Sequence, residues 1–369
     1  MQIFYVVATG LVLGVAILPK RPRASLLTYG ARADKAPKQV VNSVAGQGGS
    51  DGQYRDEPDR DQSERDEAQN RDDTQNRDEA QNTEPVQDGG PDAPDRAEGQ
   101  EGLDDGNTEI VNDSSSGQDD WFAKFVAIVT SWGQIPHSWF GGFYVVSMAC
   151  SVFWLVQYLT DGRILHFLAT RQAAASASGM EPGQVTLLWS MMFLQGLRRW
   201  IESTWLFQPG KKSTMWIVHW LLGNVYYIAM SLSIWIEGPE AILQRRLPSD
   251  PTGLISPKTV IGTLGYLFAA ASQYQCHKHL AGLVKYSLPT KGAFRILICP
   301  HYFFECLLYL SMAVAGAPKG ALCNTTLLCG LLFVASNLSV TAGTTRKWYE
   351  GKFGADAIKK RWNIIPLVY

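Results

Sequence analysis

Gln273-Tyr274-Gln275-Cys276-His277-Lys278-His279 opens the stretch that decides the reading of this chain. It continues through Leu283-Val284-Lys285-Tyr286-Ser287-Leu288-Pro289 and Phe294-Arg295 to Cys299-Pro300-His301-Tyr302-Phe303-Phe304-Glu305. Apolar runs bound it on both sides, 262–271 before and 307–317 after. Ionisable and hydrogen-bonding groups beside hydrocarbon are costly unless they are partnered, so a dense set of them between two membrane helices reads as a site. A basic loop held to anionic lipid accounts for Lys278, Lys285, Lys291 and Arg295. It does not account for His277, His301 and Glu305, which fall against or inside apolar runs.

Outward from that stretch the chain divides into two materials. Residues 33–120 are polar and nearly free of aromatics, and they carry a hexapeptide repeat from Arg65 through Arg71 and Arg77 to Asn82. A period of six matches neither a helix face nor a heptad, and no apolar stripe is present to offset the entropy of ordering. A disordered acidic insertion with no part in chemistry is the expectation. The remainder, 1–32 and 121–369, is apolar and aromatic, and the expected domains are a first helix with its flank and a six-helix membrane body. The net charge of −1 gives no sign of a nucleic-acid partner. The six cysteines follow no disulfide spacing.

Seven stretches are apolar all round, unlike the one-sided helices of soluble proteins: 3–18, 143–159, 187–206, 215–236, 258–274, 296–315 and 321–341. The first is short for a span, which takes roughly 17–25 residues. It lacks the basic flank that precedes the core of a cleaved signal, the alternative reading. The fold class expected is therefore an all-α integral membrane protein with seven transmembrane helices. Lys and Arg concentrate in alternate loops, after the first, third, fifth and seventh stretches. That asymmetry places the N-terminus in the lumen and the C-terminus in the cytosol. The sequon Asn324-Thr325-Thr326 lies on the lumenal side against the membrane, a poor position for a glycan.

The polar clusters all fall at cytosolic helix ends. Gln195-Gly196-Leu197-Arg198-Arg199-Trp200-Ile201-Glu202 puts Arg198 and Arg199 within one helical turn of Glu202, where they pair or form a snorkelling helix end. The central stretch is the second cluster, and Arg346-Lys347-Trp348-Tyr349 with Lys359-Lys360-Arg361 is the third. Cations interleaved with tyrosines suit an anionic, aromatic ligand such as a dinucleotide phosphate. No Gly-x-Gly-x-x-Gly follows a strand and no P-loop is present. Cys276-His277-x-His279 with Cys299-x-His301 fits no standard zinc spacing, so no metal is expected.

At these residues the chain resembles the steroid 5α-reductase family, and most of all its polyprenol reductase branch. The motifs that carry the likeness are Gln195, Arg198, Arg199 and Glu202; Gln273, Tyr274, Cys276 and His277; Cys299-Pro300-His301-Tyr302 with Glu305; and Lys347-Trp348-Tyr349 with Arg361 to Pro366. Leu288-Pro289 to Phe294 matches loosely. The resemblance implies a multi-pass reductase of the endoplasmic reticulum that binds NADPH from the cytosol. It implies cofactor contacts from Gln273, His277, Lys285, Tyr286, His301, Glu305 and Tyr349, with Lys211 and Lys347 as further candidates, and a catalytic group of Gln134, Arg199 and Glu202. Two departures weigh against a steroid ketone: Gly196 stands where steroid-reducing members carry a tyrosine, and Gln134 where they carry a glutamate.

Hydride needs an electron-poor carbon. The double bond of an allylic alcohol is not one, but the same bond conjugated to an aldehyde is. The reaction implied is reduction of the α-isoprene bond of a long polyprenyl lipid through its aldehyde, in dolichol synthesis for protein N-glycosylation. Gln134 or a neighbour is expected to donate to the developing oxyanion. Reduction of a 3-oxo-Δ4 steroid or a trans-2-enoyl-CoA is the alternative within the family. A membrane methyltransferase is the alternative outside it, opposed by the reversed order of Pro300 and His301. A non-enzymatic scaffold or transporter is a further one, opposed for a transporter by the lack of inverted repeats.

Overall fold

The computed structural model describes residues 1–18, 121, 124–125, 128–129, 131–175, 179–207, 213–247, 250–284 and 287–369. All belong to one compact unit. The expected insertion at 33–120 lies wholly outside the described residues.

The described elements are helical except for one two-stranded ribbon. In chain order they are α1 (Gln2–Ile17), β1 (Gln134–Pro136), α2 (Gly142–Leu159), α3 (Arg163–Ala175), α4 (Pro182–Ile201), β2 (Thr214–Trp216), α5 (Ile217–Ile236), α6 (Pro239–Leu243), α7 (Pro257–Ala281), α8 (Pro300–Ala315) and α9 (Thr325–Phe353). Local signals set the starts. Glu181 and Gln184 form a reciprocal capping box ahead of α4, with Pro182 at its first position. Ser256 caps α7 and Asn324 caps α9. Three described stretches are long and apolar enough to cross a membrane: His137–Leu159, Ile217–Ile236 and Thr325–Phe353. The shorter α1 is apolar as well.

Each of the seven apolar stretches coincides with a helix, but the bounds shift where polar chemistry intervenes. Residues 296–299 are not helical. Ile298 and Cys299 donate their amides to the carbonyls of Trp362 and Asn363, so the C-terminal tail holds this segment extended until Pro300 starts α8. The last helix runs past 341 to Phe353. Helix α4 continues into a π-helical turn, Glu202–Leu206. Such turns mark functional positions because they re-aim side chains within a helix.

Packing follows close backbone approach. Helix α7 lies along α8, where a Cβ on Gly262 would come within 2.5 Å of the Ala315 amide nitrogen and the Ser311 carbonyl. Helix α1 packs on α9, and α2 packs on both α4 and α5. The main core gathers Tyr5, Leu188, Met192, Met230, Tyr309 and Met312 from four of these helices. A smaller one, with Ile298, Cys299, Tyr349, Ile358 and Ile364, ties the end of α9 to the tail.

Candidate active site

Four helix ends and the β-ribbon converge on one cavity of about 250 Å³. The antiparallel pairing of β1 with β2 sets Gln134 opposite Trp216 at its wall. Helix α2 supplies Phe143 and Tyr144, α4 supplies Arg199, and α7 supplies Gln273 and His277. The first turns of α8 supply His301, Tyr302 and Glu305. The rest of the lining combines Leu222, Tyr226 and Tyr227 from α5 and Phe333, Val334 and Leu338 from α9 with His219, Asn337 and Thr341. The cavity therefore joins a polar network to apolar and aromatic surface.

The polar network centres on a buried carboxylate. Glu202 is 2% exposed and does not line the cavity. It accepts from Arg198 at 2.7 Å, pairs with Arg199, and meets His277 Nδ1 at 2.7 Å. The same Nδ1 lies 2.8 Å from Arg199 Nη1, so it sits between an acceptor, the carboxylate, and a donor, the guanidinium. Burial and the neighbouring Arg199 lower the His277 pKa to about 4, against the opposing pull of Glu202, so the ring is neutral at cytosolic pH. Arg199 donates its other terminal nitrogen to the Tyr144 hydroxyl at 2.9 Å.

A second layer holds the amides. Arg198 donates to Gln195 Oε1 at 2.7 Å and also to Gln273 Oε1. Gln195 donates to Glu305 Oε2 at 3.3 Å. Gln273 donates to the same Glu305 oxygen and, at 3.2 Å, to the His301 carbonyl. All these donors meet Glu305 at Oε2, and Oε1 has no protein partner among the described residues. The cavity thus presents one acceptor, Glu305 Oε1, beside the His277 ring and the Tyr144 hydroxyl.

Two comparisons bear on this geometry. A family model described as 3-oxo-5-alpha-steroid 4-dehydrogenase matches residues 249–369, which supply α7, α8 and α9. Curated relatives match over longer stretches. A Xenopus laevis protein named polyprenal reductase is 29% identical over 262 residues, 64% of this chain and 79% of the relative. The chain is thus similar to the steroid 5α-reductase family. An Oryza sativa subsp. indica family member named polyprenal reductase 1 is 27% identical over 307 residues, 69% of this chain and 83% of its own. A Saccharomyces cerevisiae family member named polyprenal reductase is 29% identical over 182 residues, 49% of this chain and 64% of its own.

Within this chain the candidate residues fall into three groups. Gln134, Arg199, Gln273, His277, His301 and Glu305 share the cavity wall, and Glu202 stands directly behind it. Tyr349 lies in the smaller core beside Cys299 and Ile364, and Lys347 is exposed on α9, so neither lines the cavity. Lys211, Lys285 and Tyr286 lie outside the described residues. Of the described cations only Arg199 lines the cavity. Arg346 and Arg361 are instead spent on carbonyls of the tail and its neighbour, at Arg361 and Pro289. The sequence reading missed Tyr144 together with the aromatic wall of Tyr226, Tyr227 and Tyr309. Inside an apolar run these tyrosines carry no distinguishing spacing.

Proposed function

We propose that this chain reduces the α,β double bond of a polyprenal, using NADPH, as a step from polyprenol toward dolichol. The observation that carries the reading is the cavity lining: a satisfied polar network with a spare carboxylate oxygen and a tyrosine hydroxyl, joined to aromatic and aliphatic side chains. The names of the relatives point to the same substrate. A cavity of about 250 Å³ suits a ring and a lipid head, with the remainder of a dinucleotide and of a polyprenyl chain outside it.

The donor set fits a reduced nicotinamide, which when bound supplies hydride to the electron-poor β-carbon of an enal. Glu305 Oε1 would accept from its carboxamide N–H groups, with the His277 ring beside it. Gln273 and Gln195 hold Glu305 in position, and Glu202 holds the His277 ring. Glu202 is thereby a positioning residue. The basic residues Lys211 and Lys285, with Tyr286 and Lys347, are proposed for the distal phosphates. Leu222, Phe333 and Val334 are proposed to take the first isoprene units. The seven apolar helices are proposed as seven spans of the endoplasmic reticulum membrane, with a lumenal N-terminus and a cytosolic C-terminus. In that arrangement the polyprenyl chain enters from the bilayer.

The test is turnover by the purified full-length chain with NADPH, offered polyprenal, polyprenol, a 3-oxo-Δ4 steroid and a trans-2-enoyl-CoA. The reading expects polyprenal to be reduced fastest, to the α-saturated product. Equal turnover of the alcohol with no aldehyde intermediate refutes the enal as acceptor.

A further inference from the structure

We infer that the Tyr144 hydroxyl is the hydrogen-bond donor to the substrate's carbonyl oxygen, and that Arg199 aims it. This deepens the proposed function and rests on it. One hydrogen bond here has a fixed direction. A guanidinium has no acceptor, so in the 2.9 Å contact Arg199 donates and the Tyr144 oxygen receives. Tyr144 makes no other hydrogen bond among the described residues. Its own O–H proton therefore needs an acceptor, and the hydroxyl sits in the wall of the cavity at 4% exposure, where water competes little.

The placement is enforced by packing. Tyr144 and Ser147 share one face of α2, and Gly196 and Arg199 share one face of α4. A Cβ on Gly196 would sit 3.2 Å from the Ser147 hydroxyl and 3.3 Å from the Met148 side chain. The bare glycine lets the two helices close together there, and one turn away the same closure brings Tyr144 onto Arg199. The Arg199 guanidinium carbon lies 5.1 Å from the centre of the Tyr144 ring. Phe140 and Tyr227 pack edge-on against that ring at 5.9 and 6.0 Å. The phenol is thus held before any ligand arrives, which is what an oxyanion donor requires. Gln134, the donor expected from the sequence, also lines the cavity but is exposed on β1.

The chemistry balances without further reagents. Hydride from the reduced nicotinamide adds at the β-carbon. The π pair moves toward the α-carbon and the carbonyl pair onto oxygen, giving an enolate, and a solvent proton at the α-carbon restores the aldehyde. Tyr144 donates to the oxygen while it carries the charge.

Tyr144→Phe in the purified full-length chain tests this with two readouts. The first is the infrared carbonyl band of ¹³C=O-labelled polyprenal bound without nicotinamide. In wild type the band lies below its position in alkane solvent, and in the variant it returns toward that position. The second is kinetic: kcat falls about 100-fold, as for loss of one oxyanion donor, while NADPH affinity stays within about twofold. Wild-type kcat and an unmoved band in the variant overturn the assignment alone. Failure of wild type to reduce polyprenal overturns the proposed function with it. Should Tyr144→Phe not fold, 3-fluorotyrosine at position 144 keeps the shape and makes a stronger donor, so the band moves further down, and a band that stays put overturns the assignment.

Discussion

Replacing Glu202 by alanine removes the carboxylate on which the polar network of the cavity is hung. At 2% exposure it faces three partners: Arg198 at 2.7 Å, Arg199, and His277 Nδ1 at 2.7 Å. Arg199 is itself largely buried, with 13% of its side chain exposed. The truncation leaves a guanidinium without its counter-charge in a low-dielectric setting. Breaking a buried pair from one side costs about 3–5 kcal/mol. At about 2–4 °C per kcal/mol for a body of this size, the melting temperature falls by roughly 6–20 °C. The buried free thiols Cys276 and Cys299 provide the assay, since a thiol-reactive dye reports their unmasking on heating in detergent. The double variant Glu202→Ala with Arg199→Met recovers part of the loss, because no unpaired charge remains. A Glu202→Ala melting point within about 2 °C of wild type, less than the shift for 1 kcal/mol, refutes the reasoning.

Two further outcomes follow from single side chains. His277 has a folded pKa of about 4 against 6.5 for the ordinary group. Between those values the unfolded chain binds a proton that the folded chain does not, so His277 subtracts up to about 3 kcal/mol as pH falls from 6.5 to 4. Melting curves of wild type and His277→Asn should diverge across that window and run level above pH 7, and parallel curves throughout contradict the buried neutral imidazole. Asn324 is 0% exposed, caps α9 through the Leu327 amide at 3.1 Å, and donates to Glu237 at 3.1 Å. The sequon should carry no glycan, Asn324→Gln should cost about 0.5–2 kcal/mol as a lost cap, and an endoglycosidase-sensitive mass shift at Asn324 overturns this.

The helices were legible because apolar runs of this length have few other uses, and all seven stretches meet one. Helix α3 was not, because Arg163–Ala175 mixes charges with small residues and its burial is confined to Leu165 and Ala169. The central cluster was legible where ionisable groups interrupt hydrocarbon, as at His277, His301 and Glu305. The motif Lys347-Trp348-Tyr349 stood out equally, yet it packs the tail: Tyr349 is buried with Ile358 and Ile364. A motif marks constraint without saying whether packing or chemistry imposes it. Tyr144 shows the reverse case. Its role depends on a glycine on another helix and on which partner donates in one hydrogen bond, and neither is written in a linear pattern.

The central claim is that a nicotinamide and an enal head meet in the cavity between Tyr144, His277 and Glu305. Turnover of polyprenal with NADPH deuterated at the nicotinamide C4, followed by mass and NMR analysis of the product, tests it most directly. The account predicts deuterium at the former β-carbon and a solvent proton at the α-carbon. Deuterium on the carbonyl carbon, with the double bond intact, contradicts it.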